Sequence, residues 1–260
     1  HHPWAIRALA AGKHVLCEKP MACSAREARE MAAAARTADR FLMEAFMYRF
    51  HPRSRRIKTM VAQGDIGAPR IVRAAFCYHM AAALLESGDN ARLKPDMGGG
   101  ALLDVGCYGV SVARWLMAAE PVGVQAQAAY HPTGVDWHLV ATLAFGPRRM
   151  AVVEASFITA LQQTYCVVGT DGAIDLPHDA FIPWEKDAVF IHRGKDEETG
   201  TRHRVDGADE YQRMVEHFAD VVQGHAPPDF TPAESVANMR VLDALAAAAR
   251  SGRRIRLDHH

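Results

Sequence analysis

The sequence of 260 residues has no surplus of charge: 30 Lys and Arg balance 30 Asp and Glu, and the pI is near 7.4. Partners with a phosphate backbone are held by a basic excess that releases counterions, so the balance speaks against nucleic acid. Long hydrophobic runs are absent as well. The stretch Leu242–Ala249 is short and alanine-rich, far below the ~20 apolar residues of a membrane-spanning helix, and no membrane insertion is expected. Cysteine is sparse, with five scattered residues (Cys17, Cys23, Cys77, Cys107, Cys166) and no C-x-x-C pair. The 14 histidines contain no H-E-x-x-H or H-x-H, and the pairs His1-His2 and His259-His260 merely stand at the two ends. No metal is therefore expected, and the cysteines read as small buried hydrophobes in a reduced compartment. Nothing at the start has the charged and apolar regions of a signal peptide.

The periodicity that is present changes part-way along the chain. Pro3, the stripe Ile6, Leu9 and Ala10, and Gly12 predict a helix over 3–11. His14–Cys17 reads as a short strand. Ser24 and Glu27 form a capping box that opens a helix to about Ala38, and Phe41–Phe46 is a second strand. Strand, helix and strand with apolar strands imply a parallel sheet under helices. One more helix runs from Pro52 to about Gln63, after which the period becomes that of strands, over 71–79, 122–131, 138–145, 149–157, 164–169 and 173–176. Asp171-Gly172 predicts a hairpin turn, and Asp196–Gly200 a solvated turn. The alternation in Val124–Ala128 implies an antiparallel sheet with one face solvated or covered by a partner. Two helices close the chain, one along Tyr211–Val222 and one opened by the Thr231-Pro232-Ala233-Glu234 cap and ending near Gly252. Residues 1–50 are thus expected to be α/β and residues 51–260 an α+β domain.

Two segments carry residue types suited to chemistry. Cys17-Glu18-Lys19-Pro20 ends the first strand, in the crevice where open α/β sheets bind ligands. A lysine there can polarise a substrate oxygen, or be a solvated loop charge. After Gly98-Gly99-Gly100, a helix would place Leu102, Val105, Ala113 and Leu116 on one side and Asp104 and Tyr108, at i and i+4, on the other. A carboxylate and a phenol so placed can share one ligand, or simply meet water. The glycines follow no strand in a βαβ unit and do not make a dinucleotide loop.

The stretch Ala5–Pro20, with its Glu-Lys-Pro end, closely resembles a segment of the glucose-fructose oxidoreductase / inositol dehydrogenase / MocA family. Met43–Pro52 and Gly98–Tyr108 resemble its next two blocks, and the C-terminal helix pair is similar too. Tyrosine rather than histidine at position 108 is similar to the branch that oxidises xylose and dihydrodiols. The resemblance implies a partial Rossmann domain (α/β) followed by an α+β domain with a large, mostly antiparallel open sheet. It places Glu18, Lys19 and Pro20 against the nicotinamide end of NADP or NAD, NADP being slightly preferred because the tyrosine branch tends that way. Lys19, Asp104 and Tyr108 would surround the reacting hydroxyl, with Tyr108 as acid/base, Lys19 lowering its pKa and Asp104 orienting the substrate. Tyr48 and Arg49 are substrate-pocket candidates or packing residues at the domain junction.

By the same resemblance, the phosphate-binding glycine loop would precede His1, as two strand-helix units of ~30 residues each. The chain is therefore expected to be a fragment that neither binds dinucleotide well nor is fully stable alone. The implied reaction passes hydride between a sugar, polyol or related diol and nicotinamide. The alternatives are a non-catalytic regulator that senses dinucleotide or sugar, or an inactive remnant serving as an association module. A homo-oligomer paired through the open sheet and a cytoplasmic setting complete the expectations.

Overall fold

The computed structural model describes residues 1–258; the pair His259–His260 lies outside the described residues. The early elements are α1 (His2–Ala10), β1 (Val15–Cys17), α2 (Ala25–Ala38) and β2 (Leu42–Glu44). The Ser24 hydroxyl accepts from the Glu27 amide at the start of α2, whose stripe of Ala25, Ala28, Met31 and Ala35 is buried at helical spacing. β1 and β2 pair in parallel, with Val15 opposite Leu42 and Cys17 opposite Glu44. A 3-10 turn, Met47–Phe50, leads into α3 (Pro52–Gln63), which the His51 imidazole caps by accepting from the Arg53 amide.

The remaining elements are β3 (Ile71–His79), α4 (Ala82–Ser87), α5 (Cys107–Met117), β4 (Gly123–Tyr130), β5 (Asp136–Ala144), β6 (Met150–Ser156), β7 (Ile158–Val168), β8 (Gly172–Leu176), β9 (Ala188–Gly194), β10 (Thr201–Val205), α6 (Glu210–Val222), α7 (Pro232–Ser251) and β11 (Ile255–Arg256). Among the described residues the strands from β3 onward make one nine-stranded sheet, ordered β10-β9-β8-β7-β3-β6-β5-β4-β11. Within this sheet, among the described residues, only the β3–β6 pairing is parallel. Alternation then sorts the side chains. Val72, Ala74 and Phe76 of β3, Leu139, Ala141 and Leu143 of β5, Ala151, Val153 and Ala155 of β6, and Tyr165 and Val167 of β7 are buried on the side covered by α5 and α7. The other side carries Arg73, Val140, Glu154 and Thr164, and among the described residues no helix packs over it.

Some details differ from the sequence reading, α4 among them, and one agrees. The strand expected at 164–169 starts at Ile158, and β9, β10 and β11 were not foreseen. The 196–200 turn is the loop joining β9 to β10. The hairpin turns at Thr170-Asp171, one residue upstream of the predicted pair, and is closed by the Gly169 amide on the Gly172 carbonyl at 2.8 Å. Gly172 belongs to the strand because its neighbour is close: a Cβ there would lie 2.5 Å from the Arg193 carbonyl oxygen.

The last helix ties the halves together. α7 packs on α2, β2, α5 and β4, and its Asp243 carboxylate accepts from the Ala25 amide at the N-terminus of α2 at 2.9 Å. Its capping box at Thr231 and Glu234 is formed in both directions. Of the cysteines, Cys17, Cys77 and Cys107 are buried, Cys166 is half-buried and Cys23 is exposed. Among the described residues no helix is long and apolar enough to cross a membrane.

Candidate active site

Lys19 and Asp104, 85 residues apart, meet where β1 ends against the segment entering α5. The Lys19 ammonium donates to Asp104 Oδ1 at 2.9 Å and to the Asp104 carbonyl at 2.6 Å. Its Nζ also lies 5.2 Å from the centroid of the Tyr108 ring. The second carboxylate oxygen of Asp104 accepts from Arg92 Nε at 2.8 Å and from the Tyr78 hydroxyl at 3.1 Å. Burial works to lower the Lys19 pKa, but the neighbouring Cys107 and Asp104 more than reverse it, so the group stays a cation. Burial likewise works to raise Asp104, yet Lys19 and Arg92 hold its carboxyl below the ordinary value.

The glycines before this site shape it rather than bind phosphate. Gly100 has φ +117°, and a Cβ on it would lie 2.3 Å from Asp136 Oδ1. A Cβ on Gly99 would lie 2.7 Å from the Arg92 carbonyl oxygen. This close backbone lets the Asp136 carboxylate accept from the Leu102 amide at 2.7 Å, at the first residue of a wide π turn over Leu102–Gly106. Burial raises Asp136 to about 6.

The π turn also changes how Asp104 and Tyr108 relate. Instead of sharing a polar helix face, Asp104 lines the Lys19 cluster while Tyr108 turns into the core, 4% exposed. The Tyr108 ring touches Phe46, Phe76 and Phe181 at centroid distances of 5.3–5.4 Å, and its hydroxyl donates to Met47 Sδ at 3.5 Å. Burial pushes this phenol well above its ordinary pKa, and Cys107, Tyr211, Glu18 and Asp104 add to the rise. That corrects the expectation of a phenol drawn down by Lys19. The ammonium sits over the ring face and bonds to Asp104, so desolvation of the hydroxyl dominates.

Glu18 is exposed and its carboxylate accepts from the Lys19 amide at 3.3 Å. The Lys19–Pro20 peptide is cis, and the Pro20 carbonyl accepts from His1 Nδ1 at 2.9 Å. Tyr48 and Arg49 take the packing alternative. Tyr48 is fully buried, its hydroxyl paired with Ser111 Oγ at 2.9 Å. Arg49 pairs with Glu234 and lies over the rings of Trp115 and Phe230, at 5.0 and 4.5 Å. Neither contributes a free polar atom to the Lys19 cluster. Sequence reasoning missed Tyr78, Arg92 and Met47. Tyr78 continues the core-facing alternation Val72, Ala74, Phe76 and could have been read from it; Arg92 stands in a stretch without periodicity and gave no signal.

An α/β unit followed by a domain with a large open sheet is an architecture that other proteins share. Residues 1–46 match the model of the oxidoreductase family with an NAD-binding Rossmann fold, and residues 54–175 that of the GFO/IDH/MocA C-terminal domain. The chain is 35% identical over 258 residues to D-xylose 1-dehydrogenase (NADP(+)) 2 of Haloferax volcanii, covering 99% of this chain and 77% of that one. It is 34% identical over 210 residues to trans-1,2-dihydrobenzene-1,2-diol dehydrogenase of Xenopus laevis, covering 79% of this chain and 60% of that protein. Among solved structures, the aldose-aldose oxidoreductase from Caulobacter crescentus complexed with glycerol superposes with a TM-score of 0.87 at 26% identity, over 99% of this chain and 76% of that chain. A 3-ketoreductase from Actinomadura kijaniata in complex with TDP-benzene and NADP gives a TM-score of 0.82 at 26% identity, over 95% and 74% of the two chains. These likenesses define the class, that of NAD(P)-dependent oxidoreductases with a Rossmann domain. The chain belongs to the GFO/IDH/MocA family within it.

Proposed function

We propose that this chain carries the substrate side of a dehydrogenase or carbonyl reductase that acts on a sugar, polyol or diol, with Tyr108 as acid/base and Lys19 and Asp104 assisting. The observation that carries the reading is the Lys19 ammonium, bonded to Asp104 Oδ1 at 2.9 Å while lying 5.2 Å from the Tyr108 ring centroid. The residues beyond the carboxyl end of β1 fit the nicotinamide end of NADP or NAD. Glu18 is exposed there, and Lys19 and Pro20 are only partly buried, in the crevice position of an open α/β sheet. When bound, that cofactor supplies or accepts hydride at nicotinamide C4.

The chain's own residues account for the proton. An ammonium has three donors, and two of those on Lys19 are held by Asp104, which leaves one for a substrate oxygen. Tyr78 and Arg92 occupy the other oxygen of Asp104, so this carboxylate serves mainly to fix the ammonium. A thioether is a weak acceptor, and a substrate oxygen displaces Met47 from the Tyr108 hydroxyl. A buried phenol of raised pKa is in its acid form, the form that gives a proton to a carbonyl oxygen during reduction. In oxidation Tyr108 takes the hydroxyl proton only as the phenolate, after its own proton has passed to solvent, and the charge of Lys19 over its ring offsets part of the cost of that anion.

The names of the relatives support D-xylose and dihydrodiols as first substrates to try, and NADP ahead of NAD. Five unpaired thiols support a reducing, cytoplasmic setting. The uncovered face of the nine-stranded sheet, with Val140 40% exposed, supports pairing with a second copy. The test is Tyr108→Phe in the complete protein, assayed with NADP and both D-xylose and trans-1,2-dihydrobenzene-1,2-diol. Turnover should fall by about 10²–10⁴ while titration of NADPH fluorescence shows unchanged binding. A variant with full turnover overturns the assignment.

A further inference from the structure

The turn that presents Lys19 is held at both ends by consecutive residues, 44 and 45. At its near end, the Cys17 carbonyl accepts from the Ala45 amide at 2.7 Å. At its far end, the Met21 amide donates to Glu44 Oε1 at 2.8 Å. The first bond is ordinary strand pairing, and the second requires this particular side chain. Glu44 is fully buried, and Met21 beside it is buried too. The other oxygen, Oε2, is buried without a hydrogen-bond partner, as is the hydroxyl of Ser235 on α7, which lies near this carboxyl.

A carboxyl in this position is costly. An apolar residue of similar size would pack without the desolvation penalty but would leave the Met21 amide unpaired. One turn beyond Ser235, the fully buried Asn238 donates Nδ2 to the Cys107 carbonyl at 3.5 Å, immediately before Tyr108. α7 therefore stands behind both reacting segments with a polar side chain for each.

We propose that Glu44 is a positioning residue. Its carboxyl clamps the far end of the 18–20 turn and thereby fixes the Lys19 ammonium against Asp104 and beneath Tyr108. The inference rests on the reading of Lys19 given above, since the clamp affects turnover only if that ammonium meets the substrate.

Glu44→Ala, Glu44→Gln and Lys19→Ala are made in the complete protein. For each and for the wild type, kcat and KM are measured on the better substrate of the assay above, together with Tm; in the wild type and the Glu44 variants the rate at which acetic anhydride labels Lys19 is also read by mass spectrometry. Glu44→Ala is expected to lower kcat by about 10–100-fold, to leave the KM for NADP within about twofold, and to speed labelling of Lys19 as the ammonium comes loose. Glu44→Gln keeps an acceptor for the Met21 amide and should restore kcat and protection. Should Glu44→Ala not fold, Glu44→Asp takes its place with the same expectation, because it withdraws the oxygen by one methylene. A variant with lowered Tm but wild-type kcat and labelling reduces Glu44 to a packing role and ends the proposal, as does a Gln variant that behaves like Ala. If Lys19→Ala itself retains turnover, the site reading fails instead, and the labelling rates alone decide whether Glu44 holds the turn.

Discussion

Near neutral pH the Glu44 carboxyl stands between its two forms. Burial pushes its pKa up to about 7 from 4.5, against the pull of Ser235, the Met21 amide, Arg114 and Arg49. The folded chain therefore keeps a proton that the unfolded chain has released, so stability falls as pH rises from 4.5 to 7 and levels off above. The loss from this one group is up to roughly 3 kcal/mol. Thermal unfolding of wild type and Glu44→Gln across this range should show a Tm gap that widens with pH in favour of the glutamine variant; a constant gap would contradict the shift. At this scale the sequence displayed the types Lys19, Asp104 and Tyr108 by their motif setting. It did not display that Lys19 bonds to Asp104 rather than to the Tyr108 hydroxyl, because that depends on the π turn. Nor did it display Arg92, whose 2.8 Å bond to Asp104 comes from the short 3-10 turn Ala91–Leu93.

The elements that were legible are those with chemical ends. α2 has Ser24 and Glu27, and α7 has Thr231, Pro232 and Glu234; a cap is a local interaction and survives in the sequence as spacing. β10 reads Thr-Arg-His-Arg-Val, a charged strand at the sheet edge, and such composition protects an edge at the expense of its hydrophobic signal. Contact between elements is equally invisible until the backbone is built. Gly109 lets α5 approach the sheet so closely that a Cβ on it would lie 2.7 Å from Val153 Cγ1. Gly109→Ala should therefore destabilise the protein by about 1–3 kcal/mol despite the better helix propensity of alanine. Urea unfolding checks this, and an unchanged or raised midpoint would show that the strand yields freely.

Across the whole molecule the alternation rule told which sheet residues face the helices but not what meets the other face. Val140 and Val152 stand there with Arg73 and Glu154. If two copies pair through this face, light scattering on the complete protein gives at least a dimer, and Val140→Lys shifts the population toward monomer without lowering turnover per folded site by more than about twofold. A wild-type monomer at all micromolar concentrations would remove the second copy from the proposal.

The placement of α7 also bears on motion. This helix rests on α2 and β2 at one side and on β4 at the other. A widening of the crevice beyond β1 is therefore expected to proceed as a small slide of packed side chains along α7, a shear displacement rather than a hinge. Substrate admission in this protein is then expected to be governed by how smoothly the alanine-rich surface of that helix lets its neighbours glide.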